Sequence, residues 1–548
     1  MKRQNNSRQF FSFTVAPLTI YAVLFLLLNY PSSLSFRTHF FTDQYEGLTS
    51  IWKIWWVNKA VTQLHQSPWE TNYVHYPYGV SFAAHTLTPF NGFLGIPLIK
   101  YFTLTETYNI IIAFSFIVGG LTAFLLAYYV SRSYMGSLIG GFIFTFSSYH
   151  FGHAWEHINL LSIEWIPLFI LAWIIFIKEP RLTSALSCAL ILFLNQMCDI
   201  YYFLFCVIAG ILILVWQGSD RKGAFTLFWR SRAMPLLTFI LAAAALTGPL
   251  VISFIILNKT DPLLGAHPST DNSLDLLAPI IPGFHWRFAD ITRPFWRSLP
   301  VNVFENASLG LSVLFVVAYA LIERRKIYSR DLNLWILMLL FFGVMSMGPI
   351  LQVWGHKTSI PLPYVLLEKI LPPLQLSGAP IRMVIMAILS ASVLCAVGFG
   401  ALLSRKSKAA ATILLILLLI EYLPRPLPTS DVAVPDYILM LKSLPGNEGL
   451  IDTVHMNVLP EYYQIYHEKP IAFSLLARTP TSVEKQDQQL KAVIEQKDYV
   501  RLCDEYSFRY LITQDDVSGI KSRVKIIYED LGTGLKLVDM KPNGECFT

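Results

Sequence analysis

Apolar residues run along this chain in long blocks, separated by short polar stretches. A helix needs about 20 consecutive apolar residues to cross a bilayer core, give or take a few. Eleven blocks qualify, near 14–31, 108–130, 134–149, 159–177, 182–198, 200–217, 234–257, 309–323, 333–351, 382–403 and 409–424. The pattern predicts an α-helical polytopic membrane protein with about eleven transmembrane helices. A twelfth stretch, Leu87–Phe102, is interrupted by Pro89, Gly92, Gly95 and Pro97, and reads as a re-entrant or interfacial piece. Past Arg425 the pattern changes. Alternating runs at Tyr510–Thr513 and Val524–Tyr528, with a helical stretch near 482–498, predict a small soluble α/β or α+β domain.

Composition sharpens that division. Only 14% of the 548 residues are charged and 54% are hydrophobic, against about a quarter charged in soluble domains. A water-soluble globular protein is excluded, and 38 Phe, 26 Tyr and 13 Trp exclude disorder. Residues 426–548 hold 13 basic and 18 acidic side chains, a net of −5, which leaves 29 basic and 18 acidic in residues 1–425, a net of +11. The sequence thus divides into a membrane module, 1–425, and a soluble tail, 426–548.

Sidedness follows from Lys and Arg in short loops. Lys2, Arg3 and Arg8 put the N-terminus inside. Alternate loops then carry Arg132; Lys178 and Arg181; Arg221, Lys222, Arg230 and Arg232; Arg324, Arg325, Lys326 and Arg330; Arg405, Lys406 and Lys408. An odd number of spans places the tail outside. The long loops at about 32–107, 258–308 and 352–381 fall on that same outer side, and loops of such length are usually functional.

Candidate chemistry gathers on the outer side. Asp43 and Glu46, three residues apart, would share a helix face just beyond the first span, where a carboxylate can serve as a base or favour a helix start. Trp52, Trp55 and Trp56 suggest an amphipathic helix at the interface, and His75-Tyr76-Pro77-Tyr78-Gly79 a turn that could shape a sugar or lipid pocket. His153 and His157, four apart, would face one way on a helix. With Glu156 they suit a divalent metal ion, or on their own a phosphate or sugar. Asp199 is an acid inside an apolar hairpin at the membrane edge, a functional candidate or the partner of a neighbouring base. Arg287, Arg293 and Arg297, interleaved with aromatics, could clamp a lipid-linked phosphate, and Arg382 heads the tenth span.

Four cysteines, Cys188, Cys198, Cys206 and Cys395, lie in spans as packing residues. Cys503 and Cys546 share the external tail, where an oxidising compartment would let them bridge. Nucleic acid is a poor partner for this face. The chain has no P-loop, GxGxxG, GxSxG or HExxH motif, so nucleotide hydrolysis, Rossmann binding and common hydrolase or zincin layouts lack support.

The layout resembles the GT-C membrane glycosyltransferases, in particular a large bacterial and archaeal branch. The matching pieces are Thr42-Asp43-Gln44, His75–Gly79, Gly152–His157 with Glu164–Leu168, Asp275-Leu276-Leu277, Gly348–Leu351, Ser377–Arg382, Tyr462-Tyr463-Gln464 and His467–Pro470. That resemblance implies an inverting transfer of sugar from a polyprenyl-phosphate donor to a glycan, lipid or protein acceptor on the outer face of a bacterial inner membrane. It puts the base at Asp43, with Glu46 as substitute or helper, and donor-phosphate contacts at His153, His157, Arg287 and Arg382. Asp199 or Glu156 would supply a second outer acid. The rival readings are a transporter or flippase of lipid-linked glycans and a non-catalytic assembly protein. A transporter should carry charges at mid-bilayer between broken helices, whereas these lie at the rim.

Overall fold

Each of the eleven apolar blocks contains a helix in the computed structural model, which describes residues 9–219, 225–265, 267–297, 307–323, 331–371, 373–404, 408–455, 458–517 and 523–546. Among the described residues six helices are long and apolar enough to cross a bilayer: Phe11–Leu28, Leu104–Ser131, Ile158–Lys178, Ile200–Ser219, Trp229–Thr260 and Pro380–Ser404. The chain is a multi-pass membrane protein. Five further helices, Tyr134–Thr145, Leu182–Cys198, Leu311–Glu323, Asp331–Ser346 and Lys408–Glu421, have 12 to 17 residues. At 1.5 Å per residue they reach about 18–26 Å, short of a core of about 30 Å. Several residues behind the sidedness reading lie outside the described ones: Lys2, Arg3, Arg8, Arg221, Lys222, Arg324, Arg325, Lys326, Arg330, Arg405 and Lys406.

Two compact units divide the chain. The first takes residues 1–41, 109–249 and 266–429; the second takes 42–108, 250–265 and 430–548. Composition breaks at 425, but the tail does not pack by itself: the first long loop belongs to the same unit.

In the first unit the helix Val384–Ser404 is buried almost throughout, from Val384 to Phe399. Its closest neighbour, Tyr134–Thr145, comes near because Gly136 and Gly140 face it. A Cβ on Gly136 would stand 2.2 Å from the Ala396 carbonyl oxygen, and one on Gly140 2.8 Å from that of Ser392. Small residues one turn apart are how membrane helices bring their backbones together. Asn29 and Ser32, past the first helix, clamp the Leu427 backbone with bonds of 2.8 and 2.6 Å.

The second unit is built around the helix Glu46–Thr62. Two of its three tryptophans, Trp52 and Trp56, are buried inside the unit and not at a lipid interface as their spacing suggested, while Trp55 is half-buried. Trp52 and Trp56 stack at 5.8 Å and are at most 1% exposed. The tail helix Leu459–His467 packs on this helix, with Trp52 Nε1 donating to Gln464 Oε1 at 2.7 Å and Lys59 paired to Glu468, just past the tail helix, at 2.5 Å. Leu87–Phe102 forms a helix over Pro89–Ile99, 11 residues long, which also packs on Glu46–Thr62.

The tail's sheet has four strands. Gly449–Asp452 runs parallel to Phe508–Thr513; Lys536–Asp539 pairs antiparallel with Phe508–Thr513 and then with Lys525–Glu529. Helices Thr481–Glu495 and Tyr499–Asp504 supply Leu490, Val493 and Leu502 to a core with Ile451, Phe508, Leu511 and Val538. Cys503 and Cys546 are joined in a disulfide, Cα atoms 5.8 Å apart, and the other four cysteines are buried thiols.

Candidate functional site

The first candidate lies in the second unit. The helix begins only at Glu46, so Asp43 stands ahead of it and the two do not share a helical face. Instead Asp43 folds back: its Oδ1 accepts the backbone N–H of Tyr45 at 3.0 Å and of Gly47 at 2.9 Å. A helix start leaves such donors unmet, and a carboxylate there satisfies them. Gly47 makes room, since a Cβ on it would lie 1.8 Å from Thr42 Oγ1 and 2.8 Å from Asp43 Oδ1. Thr42, fully buried, is hydrogen-bonded to the Tyr108 hydroxyl. Asp43 is thus a half-buried carboxylate fixed by two backbone bonds, with the exposed Glu46 one step into the helix.

A second candidate forms in the first unit, where His153, His157, Asp199 and Arg382 converge. Asp199 has an extended backbone between Leu182–Cys198 and Ile200–Ser219. Its Oδ1 caps the second helix through the Tyr201 N–H at 2.7 Å, and its Oδ2 accepts from Asn159 Nδ2 at 2.7 Å. Arg382, at the head of Pro380–Ser404, lays its guanidinium 5.0 Å from the Tyr201 ring centre. It is close enough to act electrostatically on both Asp199 and His153.

His153 closes the short helix Ser148–Ala154, whose N-cap is Ser147. That helix ends before His157, contrary to the four-residue spacing. The His157 N–H still donates to the His153 carbonyl at 2.9 Å, and this extra turn keeps the rings 5.7 Å apart. Burial, then His157 and Arg382, push the His153 imidazole well below its usual range. Its Nδ1 is buried without a hydrogen-bond partner among the described residues. Beneath, Tyr149 donates to Tyr202 at 3.1 Å and Tyr202 donates to the Leu160 carbonyl. Glu156 and His157 bring ligand atoms within 4.8 Å of each other.

Of the remaining candidate arginines, Arg287 serves the backbone and Arg293 a side chain. Arg287 Nε donates to the Pro424 carbonyl at 3.0 Å and Nη2 to that of Tyr30 at 3.4 Å, so its guanidinium ties chain segments together. Arg293 pairs with Asp290 at 3.7 Å, and Arg297 is exposed.

A family model described as a domain of unknown function (DUF6311) matches residues 19–422. The chain belongs to this family. The DUF6311 match takes in Asp43, His153, Asp199 and Arg382 and leaves out the tail. No curated protein matches the chain. Among solved structures, it is similar to an oligosaccharyltransferase from Archaeoglobus fulgidus, in complex with Zn and sulfate. The two share 13% identity at a TM-score of 0.46, over 90% of this chain and 67% of that one. It is also similar to ArnT from Cupriavidus metallidurans, bound to undecaprenyl phosphate, at 9% identity and a TM-score of 0.41, over 96% and 98% of the chains. Apo ArnT gives 10% and 0.40, over 95% and 97%. These neighbours are membrane glycosyltransferases of the GT-C fold.

Some polar residues of this DUF6311 protein were not singled out from its sequence. Asn159, Tyr201 and Tyr202 surround Asp199, and the last two sit beside it in sequence, a signal that was there to use. In the second unit Lys53, 6% exposed, donates to Thr86 Oγ1 at 3.1 Å. Burial pushes Lys53 down to about 8, against the pull of Glu461 and Glu46. Burial likewise raises Glu461 and drives His85 well below its usual range, the latter helped by Lys53 and His75. Lys53 was hidden inside a tryptophan run that reads as interfacial.

Proposed function

We propose that the chain is an inverting membrane glycosyltransferase of GT-C type, moving a sugar from a polyprenyl-phosphate donor to an acceptor on the outer face. The observation that carries this reading is the convergence of His153, His157, Asp199 and Arg382, widely spaced in sequence, at the ends of apolar helices in the first unit. A neutral imidazole with an unpartnered nitrogen and a guanidinium together suit a phosphate oxygen, which needs hydrogen-bond donors and positive charge as its bond to sugar breaks. The reading takes the apolar blocks as eleven spans, with basic loops inside and the tail outside.

In this scheme the acceptor hydroxyl attacks the anomeric carbon as the carbon–oxygen bond to the phosphate breaks. The polyprenyl phosphate leaves with the electron pair, its charge met by Arg382 and His153. Asp43 takes the hydroxyl proton, its carboxylate oriented by the Tyr45 and Gly47 N–H groups. Glu156 and His157 are the pair from which a divalent ion would be held, and no step runs through one.

Purified protein in liposomes, given a radiolabelled polyprenyl-phosphate sugar and cell-envelope acceptor extract, tests this. Labelled acceptor with release of polyprenyl phosphate is expected. Movement of the labelled lipid across the bilayer with no sugar transfer would overturn the reading in favour of a flippase.

A further inference from the structure

Ser115, His150 and Glu164 meet inside the first unit, each at most 1% exposed. Ser115 lies on the helix Leu104–Ser131, His150 on Ser148–Ala154, and Glu164 stands just ahead of Trp165–Lys178. We propose that Glu164 is a neutral carboxylic acid whose proton, bonded to Ser115, holds His150 in place and so positions His153 on the same short helix. That makes Glu164 a positioning residue for the donor phosphate, a role that rests on the transfer reading above; its protonation does not.

Ser115 Oγ lies 2.7 Å from Glu164 Oε2, 2.9 Å from the Leu161 carbonyl oxygen and 3.2 Å from His150 Nε2. A hydroxyl has one proton to give and two lone pairs to fill. His150 Nδ1 is 2.7 Å from the Thr145 carbonyl oxygen, which can only accept. That nitrogen therefore carries the proton of the neutral ring, and Nε2 is an acceptor. With Glu164 ionised, three acceptors crowd one hydroxyl proton. The carboxylate, nearest and charged, would take it and leave Nε2 buried without a donor. With Glu164 protonated the donors run in one direction. Glu164 Oε2–H donates to Ser115, Ser115 O–H to His150 Nε2, and His150 Nδ1–H to Thr145. The Leu161 carbonyl needs no share, since it accepts the Ile163 N–H at 2.8 Å.

Solvation points the same way. Among the described residues Glu164 Oε1 is buried without a hydrogen-bond partner, and no Lys or Arg pairs with the carboxyl. An ionised carboxylate so placed among apolar helices is expensive, and a proton removes the charge. The other titratable groups that face this carboxyl are His150 and Cys198. A proton moved to the ring, giving an imidazolium that faces a carboxylate through Ser115, is opposed by burial. Burial pushes the His150 imidazole down to about 4, against the Thr145 and Leu161 carbonyls.

Infrared difference spectra of the full-length protein in nanodiscs, wild type minus Glu164→Gln at neutral pH, test the protonation. The carbonyl stretch of a protonated carboxyl should be present in the wild type and missing from the variant. Loss of a carboxylate band instead would overturn the proposal. The positioning is read by native mass spectrometry with undecaprenyl phosphate as probe. Glu164→Gln is uncharged and its amide can donate to Ser115, so it should bind as the wild type does. Glu164→Ala should bind about tenfold more weakly. Equal weakening in both variants, or none in either, would overturn the positioning role. A protonated-carboxyl band with no binding of the probe by the wild type would count against the phosphate reading alone.

Discussion

Arg382 sets its guanidinium 5.0 Å from the Tyr201 ring centre, and its charge reaches Asp199 and His153. A lysine would keep the charge and lose both the stacking and the two-pronged donor geometry. Arg382→Lys should therefore weaken binding of polyprenyl phosphate about tenfold, or about 1.4 kcal/mol, measured by native mass spectrometry. Unchanged affinity would remove Arg382 from the donor site. The sequence exposed Arg382, Asp199 and the two histidines as isolated oddities in apolar surroundings. It did not show that they meet, because nothing local to any of them records a neighbour far along the chain. Arg287 illustrates the reverse: an arginine among aromatics reads as a phosphate clamp, yet its donors go to two backbone carbonyls.

At the scale of elements, the least legible was the helix Glu46–Thr62. A stripe of tryptophans has the same pattern whether it faces lipid or a covering helix, and the cover here lies some four hundred residues later. That burial has a pH signature. Lys53 titrates near 8 in the folded unit against an ordinary 10.5, so the unfolded chain holds more protons between those values and stability rises with pH across that window. The gain should be at most about 3 kcal/mol. Denaturant unfolding followed by tryptophan fluorescence should show it in the wild type and not in Lys53→Met, and an equal slope in both would contradict the assignment. Two of the tail's four strands, Phe508–Thr513 and Lys525–Glu529, and its main helix were readable from short apolar runs and helical spacing, whereas Gly449–Asp452 and Lys536–Asp539 were not. Its disulfide closes 43 residues, for which chain entropy gives about 4 kcal/mol. Cys503→Ser with Cys546→Ser should lower the tail's unfolding free energy by 2–5 kcal/mol. Protease protection of the tail during denaturant titration would register that loss.

For the whole molecule, block length and charge density were enough to give a multi-pass membrane protein with a structured tail. They could not give the division into units. Composition reports solvent, and the first loop is as rich in aromatics as the helices around it while packing with the tail. The central claim, sugar transfer with Asp43 as base, has a clean probe because Asp43 also holds a helix start. Asparagine retains the oxygen that accepts the Tyr45 and Gly47 N–H groups and caps about as well as aspartate, but it cannot take a proton. The decisive measurement is the glycolipid and glycan profile of a deletion strain complemented with wild-type or Asp43→Asn protein at matched membrane levels. The account predicts that wild type restores a missing sugar and that Asp43→Asn restores less than about a hundredth of it; full restoration by Asp43→Asn would contradict it.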